Sequence, residues 1–239
     1  IAALAYGTES VPKVDKVCGP GNIFVVLAKK MVYGVVNIDG LQGPSEVIIV
    51  ADERSNPVFC AADLLAQAEH DPLSSAILLT TSPELAGKVD QEVERQLKGL
   101  ERQAIAAESL EGKGVIGIVA TKDEAIELVN LYAPEHLYLM VDDAWSYVGS
   151  IRNAGGIFIG ESSTLVLGDY VAGPSHILPT KGTARFSSPL GVDDFLKFTN
   201  LIALDDIALR ALAPAAMTIA RAEGLTAHAR AAELRLRPE

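Results

Sequence analysis

The chain has 239 residues, a formal net charge of −11, and 49% apolar against 21% charged residues. This composition is typical of a folded globular protein, and no apolar run reaches the ~18 residues that a membrane-spanning helix needs. The acidic balance and the lack of a Lys/Arg cluster argue against binding to a nucleic-acid backbone, which depends on a basic surface. We therefore expect small-molecule partners, with no nucleic acid and no membrane.

The first residues predict the end of a helix rather than its start. Residues 1–7 form an apolar helical pattern that stops at Gly7, and no capping residue precedes it. We therefore expect the sequence to be a fragment of a longer chain.

The cysteine content indicates a reducing compartment. Cys18 and Cys60 are the two cysteines, and their spacing does not suit a metal site. Nothing resembles a secretory signal, so we expect free thiols in the cytoplasm, although the sequence leaves a disulfide open.

Short apolar runs rich in β-branched residues alternate with amphipathic stretches, which predicts a parallel α/β fold. The predicted strands are 16–17, 35–38, 47–50, 76–80, 115–119, 137–140 and 156–159. The predicted helices are about 21–31, 57–70, 83–98, 121–132 and 143–149. The helix at 57–70 is well marked, because Ser55 and Asn56 can cap it and Pro57 suits its first turn.

The character of the chain changes after Gly160. Residues 161–189 are rich in Gly, Ser and Pro and contain few helix or strand signals, as is typical of a functional loop. Beyond Val192 the pattern is helical, through 193–198, about 205–223 and about 226–235. This short tail has little core of its own, so we expect it to dock on another subunit.

Two histidines lie in segments that suit metal binding or proton transfer. Gln67 and His70 are three apart on a predicted helix and could meet one ion, although they also fit an ordinary polar helix end. Glu135 and His136 stand between a helix and a strand. A histidine with a near-neutral pKa can take a proton from an alcohol, and the adjacent Glu can activate water; an exposed polar loop is the alternative.

The other two histidines are harder to assign. Asp169 offers a hard oxygen ligand beside glycines that allow close approach, and we expect His176 in the same segment to play a supporting role. Glu223 and His228 flank a helix break at Gly224 and could project toward one site. A solvated hinge is the alternative reading of that break.

Two glycine turns could contact a ligand. Gly19-Pro-Gly-Asn22 lies between a strand and a helix, where backbone N–H groups can meet an anion or cofactor, although it is not Gly-x-Gly-x-x-Gly. Gly43-Pro-Ser-Glu46 precedes a strand, and Ser45 could donate to a substrate. A simple strand-entry turn explains the second motif equally well.

Longer motifs containing these residues follow one another almost from end to end of the chain. They are Lys13-Val-Asp-Lys-Val-Cys-Gly-Pro-Gly-Asn22, Gly43-Pro-Ser-Glu46, Ala62-Asp-Leu-Leu-Ala-Gln-Ala-Glu-His70, Ala133-Pro-Glu-His-Leu137, Gly168-Asp-Tyr-Val-Ala-Gly-Pro-Ser-His-Ile-Leu-Pro-Thr180 and Ala222-Glu-Gly-Leu-Thr-Ala-His228. In this order they resemble the histidinol dehydrogenase family, whose full chain is substantially longer at its amino-terminal end.

The resemblance implies an architecture and an activity. The architecture is α/β, with two incomplete Rossmann-like parallel-sheet units and a carboxy-terminal helical tail. Residues 1–45 would belong to the NAD-side domain, 46–190 to the zinc and substrate domain, and 191–239 to a tail exchanged in a homodimer. The activity is the zinc-dependent oxidation of L-histidinol to L-histidine through L-histidinal with two NAD, the last steps of histidine biosynthesis.

The resemblance also assigns roles to residues. His136 would be the general base, and Glu135 would activate water. Asn22 would contact NAD, although other NAD contacts belong to the part of the family's chain that is absent here. The expected zinc ligands are Gln67, His70, Asp169 and His228, with His228 supplied by the partner subunit. The substrate would contact these four ligands together with Ser45, His136 and Glu223.

Two other functions stay open at this point. One is a related zinc and NAD dehydrogenase that oxidises another polar alcohol, such as a sulfonated diol. The other is a zinc-binding fragment without turnover. Zinc content and NADH formation with different alcohols discriminate the three.

Overall fold

The computed structural model describes residues 1–236 and divides the chain into two compact units, Ile1–Phe195 and Leu196–Glu239. The first unit contains two parallel sheets with helices, and the second contains helices. The predicted α/β class with two parallel-sheet units and a helical tail is therefore confirmed. The predicted boundary between an NAD-side and a substrate domain at residue 45 stays a prediction.

The first unit begins with two short parallel strands and two helices. The elements are α1 (Ala2–Tyr6), β1 (Lys16–Val17), α2 (Ile23–Val32) and β2 (Asn37–Ile38), and β1 pairs with β2 in a two-stranded parallel sheet. β2 is shorter than predicted, because the N–H of Val36 bonds back to the Val32 carbonyl and prolongs the turn after α2. The small core here contains Ala5, Val17, Val32 and Val36.

A five-stranded parallel sheet forms the centre of the first unit. Its strands are β3 (Glu46–Ala51), β4 (Ser75–Thr80), β5 (Gly114–Ile118), β6 (His136–Met140) and β7 (Gly156–Ile159), in the order β5-β4-β3-β6-β7. β3 and β6 are neighbours at the point where the strand order reverses, and Val47 pairs with His136. Both strands are buried along their whole length, which explains why they read as continuous apolar runs.

Helices cover both faces of this sheet. They are α3 (Pro57–Ala68), α4 (Pro83–Leu97), α5 (Gln103–Lys113), α6 (Lys122–Tyr132), α7 (Ala144–Val148) and α8 (Leu165–Tyr170). One core cluster contains Leu64, Leu85 and Tyr138, and the other contains Ile126 and Leu137. Adjacent β6 residues therefore point into opposite cores, as the alternation of a strand requires.

Several sequence predictions about helices are wrong. α3 ends at Ala68, because Glu69 is already its C-cap, so His70 lies beyond the helix. α5 was not predicted, and the stretch 161–189 contains α8 and a 3₁₀ turn at Thr183–Arg185. The helical pattern at 193–198 forms only a 3₁₀ turn, Val192–Phe195.

The second unit contains α9 (Asp206–Ala222) and α10 (Thr226–Arg235), close to the predicted ranges. The Asp205 side chain caps α9, and Gly224 between the helices adopts φ 75°, a conformation that favours glycine. Large apolar side chains on α9 are exposed, among them Ile207 and Ile219. Exchange of this unit with a partner subunit stays a prediction.

Two further observations concern the environment of the chain. Cys18 and Cys60 are both free thiols, and Cys60 is buried in the core. Within residues 1–236, no helix combines the length and apolar character needed to cross a bilayer.

Candidate active site

The predicted catalytic residues Glu135 and His136 lie at the amino end of β6, beside the amino end of the neighbouring strand β3. Glu46 is the first residue of β3 and His136 is the first of β6, with Glu135 directly before it. Ala133 ends α6 in a left-handed conformation, so the chain turns from helix to strand within three residues. Ligands in open α/β sheets usually bind at the carboxyl ends of strands, and this cluster departs from that rule.

His136 is only 3% exposed, and its hydrogen bonds determine which ring nitrogen carries the proton. Nδ1 lies 3.2 Å from the Glu46 carbonyl oxygen, which can only accept, so Nδ1 is the donor. In the neutral ring, Nε2 then has a free lone pair. Nε2 is buried, has no hydrogen-bond partner and lies 3.8 Å from Asp169 Oδ1.

The charges around His136 favour its protonated form. Burial alone would lower the pKa of His136, but Asp169, Glu135 and the Glu46 carbonyl raise it above its ordinary value. Glu135 Oε2 lies 3.5 Å from Nδ1 and Asp169 is on the Nε2 side. The ring can therefore accept a proton at Nε2 with a carboxyl group near each nitrogen.

The Glu135 side chain is buried beside this ring. Its Oε2 accepts a hydrogen bond from the Glu46 N–H at 3.0 Å. Burial raises the pKa of Glu135 to about 7, and the nearby Glu46 and Asp169 act in the same direction. A carboxyl group that titrates near neutral pH can act as a general base at that pH.

Glu46 organises this cluster, and the sequence reasoning did not assign it a role. Its backbone N–H and carbonyl bond to Glu135 and His136, and its Oε1 accepts from the Lys181 N–H at 3.1 Å. Oε2 is buried without a hydrogen-bond partner, and burial raises the pKa of Glu46. The sequence feature that could have indicated this role is an acidic residue at the start of an otherwise apolar strand.

The structure brings Ser45 and His70 together. Ser45 Oγ lies 3.3 Å from His70 Nδ1, and the His70 N–H bonds to the Gln67 carbonyl. His70 is exposed and lies just beyond α3, so the prediction that it stands on the same helix as Gln67 is wrong. Partial desolvation lowers the pKa of His70, which favours neutral imidazole, the form that binds metals.

Gln67 is fully buried, yet neither its Nε2 nor its Oε1 has a hydrogen-bond partner. A buried polar group without a partner is costly, and an amide oxygen facing a cation would be satisfied. Within residues 1–236, no three His, Cys, Asp or Glu side chains form a metal-binding group. The Gln67 amide oxygen, the His70 imidazole and the Asp169 carboxylate are nevertheless side-chain groups of kinds that can ligate a cation.

Asp169 lies on α8, where the sequence predicted a loop. Its side chain is 17% exposed and adjoins a cavity of about 560 Å³ that Phe158, Leu167 and Leu178 also line. This volume is in the range of small-molecule sites. His176 is exposed and makes no hydrogen bond in the described part of the chain, so its supporting role stays a prediction.

The remaining predicted residues belong to other segments of the chain. Asn22 caps α2, its Oδ1 accepting from the N–H groups of Phe24 and Val25 at 3.1 Å, so its Nδ2 is available to a ligand. Glu223 and His228 are exposed in the second unit, on either side of Gly224. Their participation in the site stays a prediction.

Comparisons with known proteins show to which family the chain belongs. The histidinol dehydrogenase family model matches residues 1–236. The histidinol dehydrogenase of Dehalococcoides mccartyi is 57% identical over 236 residues, which cover 99% of this chain and 54% of that protein. That of Halalkalibacterium halodurans is 54% identical over 239 residues, covering 100% of this chain and 56% of that protein.

A solved structure shows the same fold. The crystal structure of histidinol dehydrogenase from Elizabethkingia anophelis matches with a TM-score of 0.91 at 39% identity, covering 98% of this chain and 54% of that one. The chain thus spans about half the length of the curated relatives it matches. On this similarity, the chain belongs to the histidinol dehydrogenase family.

Proposed function

We propose that the protein oxidises L-histidinol to L-histidine through L-histidinal, in two NAD-linked steps that depend on zinc. Family membership supports the reaction class. The observation that carries the proposal is the buried His136 ring, whose Nδ1 donates to the Glu46 carbonyl and whose Nε2 has no partner. This arrangement suits a general base for an alcohol bound beside it.

In the first oxidation, His136 Nε2 accepts the hydroxyl proton while the carbinol carbon loses a hydride to NAD. Two electrons leave with the hydride, and the carbon–oxygen bond becomes the aldehyde double bond. The carboxyl groups of Glu135 and Asp169 stabilise the imidazolium that forms. Because His136 is held through Nδ1, the ring keeps its orientation as it gains and loses the proton.

In the second oxidation, the Glu135 carboxylate removes a proton from water as the water oxygen attacks the aldehyde carbon. His136 returns its first proton to the former aldehyde oxygen, which completes the hydrate and leaves the ring neutral. A second NAD, when bound, would take the second hydride while one hydroxyl proton of the hydrate passes to His136. The carboxylic acid that results releases its remaining proton to solvent and leaves as the carboxylate of L-histidine. A Glu135 pKa of about 7 means that a substantial fraction is ionised near neutral pH and can act in this step.

Zinc would be held by Gln67, His70 and Asp169, with His228 of the partner subunit, and would orient the imidazole and amine of the substrate. The orphaned amide of Gln67 supports this assignment. Ser45, next to His70, and Glu223 would contact the substrate, and Asn22 would donate from Nδ2 to NAD. The two free thiols support a cytoplasmic location.

The test is NADH formation from L-histidinol by the full-length enzyme, with a sulfonated diol as the comparison substrate. We expect His136→Ala to lower kcat by roughly 10²–10⁴-fold while the zinc content is retained. Glu94→Ala is the control, because Glu94 is exposed on α4 and has no role in the site, and its kcat should stay near the wild-type value. Loss of zinc together with activity in His136→Ala would contradict the role of His136 as a base outside the metal site.

A further inference from the structure

A buried ion pair joins α2 to the residue that follows β2. Lys29 comes from α2 and Asp39 directly follows β2, and their side chains are 2% and 0% exposed. Lys29 Nζ contacts Asp39 Oδ1 and also donates to the Gly19 carbonyl at 3.0 Å and to Gln42 Oε1 at 3.1 Å. Asp39 Oδ2 accepts from the Gly19 N–H at 2.7 Å. Both charged groups therefore have hydrogen-bond partners besides each other.

The pair holds Gly19 through both of its backbone polar groups. The Gly19 N–H bonds to Asp39 and the Gly19 carbonyl bonds to Lys29. Gly19 has φ 116°, a conformation that side-chain-bearing residues rarely adopt. The pair thus selects one backbone conformation at the start of the loop that ends at Asn22, the N-cap of α2.

The same pair is connected to the substrate side of the molecule. Gln42, which accepts from Lys29, directly precedes Gly43, whose N–H donates to Thr180 Oγ1 at 2.5 Å. Two residues further on, Ser45 Oγ lies 3.3 Å from His70 Nδ1. One buried pair therefore joins the 19–22 loop to the 42–45 turn.

Stability alone is a weak explanation for such a pair. Removing two charges from water costs about as much as their attraction returns, and apolar replacement of a whole buried pair is often neutral or stabilising. The specific consequence of this pair is geometric, because it fixes two loops relative to each other.

We propose that Lys29 and Asp39 are positioning residues for hydride transfer. They hold the 19–22 loop, with Asn22, in register with the 42–45 turn, with Ser45. This inference rests on the proposed function, in which Asn22 contacts NAD and Ser45 contacts the alcohol. Hydride transfer needs the two reacting carbons about 3–3.5 Å apart, so a small displacement of either loop lowers the rate.

The test is the double variant Lys29→Met/Asp39→Leu in the zinc-loaded, full-length enzyme. It removes both charges together, so that neither is left unpaired in the interior. Lys30→Met is the matched control, because Lys30 is the exposed neighbour of Lys29 on α2. The measurements are KM for NAD, KM for L-histidinol, kcat, zinc content, thermal midpoint and amide hydrogen exchange of residues 19–22.

The double variant should fold, bind zinc and keep its KM for L-histidinol. Its kcat should fall and its KM for NAD should rise, each by roughly tenfold or more, and exchange at residues 19–22 should accelerate, whereas Lys30→Met changes none of the three. If the wild-type enzyme is active and the double variant keeps the wild-type kcat and KM for NAD, the positioning role is overturned. A double variant that does not fold would also overturn it, because the pair would then maintain the fold. If the wild-type enzyme does not oxidise L-histidinol, the proposed function fails, and the exchange measurement still reports on the loop.

Discussion

The raised pKa of Glu135 predicts that this catalytic carboxyl group destabilises the folded protein above neutral pH. Burial raises its pKa to about 7, against 4.5 for the ordinary side chain. Between these two pH values the unfolded chain releases the proton and the folded protein retains it. Stability is therefore unaffected by Glu135 below about pH 4.5, falls as the pH rises toward 7, and reaches its full loss above 7.

The size of this effect follows from the two pKa values. At about 1.36 kcal/mol per pH unit, the carboxyl group costs about 3 kcal/mol at pH 8 and under about 1 kcal/mol at pH 5. Glu135→Gln removes the titration and keeps an oxygen that can accept from the Glu46 N–H. For a chain of this size, we expect its thermal midpoint to exceed the wild-type value by roughly 6–12 °C at pH 8 and by a few degrees at most at pH 5.

The assay is calorimetry of metal-free wild type and Glu135→Gln at both pH values. Glu94→Gln is the control, because Glu94 is exposed on α4, and its substitution should change stability by less than about 0.5 kcal/mol at either pH. In the loaded enzyme, Glu135→Gln should also slow oxidation of L-histidinal by roughly 10²–10⁴-fold. A stabilisation that is equal at pH 5 and pH 8 would refute the buried titration.

Three further substitutions test the rest of the site. Gln67→Leu should stabilise the metal-free protein by about 1–3 kcal/mol, since it removes an orphaned buried amide, and should weaken zinc binding in a metal titration; unchanged zinc affinity would exclude Gln67 as a ligand. Tyr138→Phe should lower stability by about 1–3 kcal/mol, because the Tyr138 hydroxyl accepts a hydrogen bond from the Leu165 N–H. Leu165 belongs to α8, the helix that carries Asp169, so zinc binding should also weaken. An unchanged melting temperature would contradict this contact. Asn22→Asp keeps the oxygen that caps α2 but loses the Nδ2 donor, so it should raise KM for NAD without a change in thermal stability. An unaltered KM for NAD would show that Asn22 does not contact the cofactor.

The sequence predicted the strands well because buried parallel strands are continuous apolar runs. β3 and β6 are buried at every residue, so their identity does not depend on distant contacts. α5 has few large apolar residues and no side-chain N-cap, and it could not be recognised locally. α8 is short, contains Gly168 and also lacks a side-chain cap. Packing on the sheet, rather than helix propensity, decides whether such segments are helical.

The same distinction holds for the site: residues that are adjacent in sequence could be placed from the sequence, and contacts between distant residues could not. Glu135 and His136 are adjacent in sequence, and a helix-to-strand boundary suffices to place them. The role of Glu46 depends on its contact with Lys181, which is 135 residues away in the sequence. The role of Lys29 depends on its contact with Asp39, whose position is set by β2. The pKa of Glu135 likewise depends on burial, which only the packed structure supplies.

The most direct test of the proposed function is the yield of NADH and product from a limiting amount of L-histidinol in the full-length, zinc-loaded enzyme. Two oxidations at one site predict two NADH for each L-histidine formed, with no accumulation of L-histidinal. A yield of one NADH with the aldehyde as final product, or no NADH at all, would contradict the proposed function.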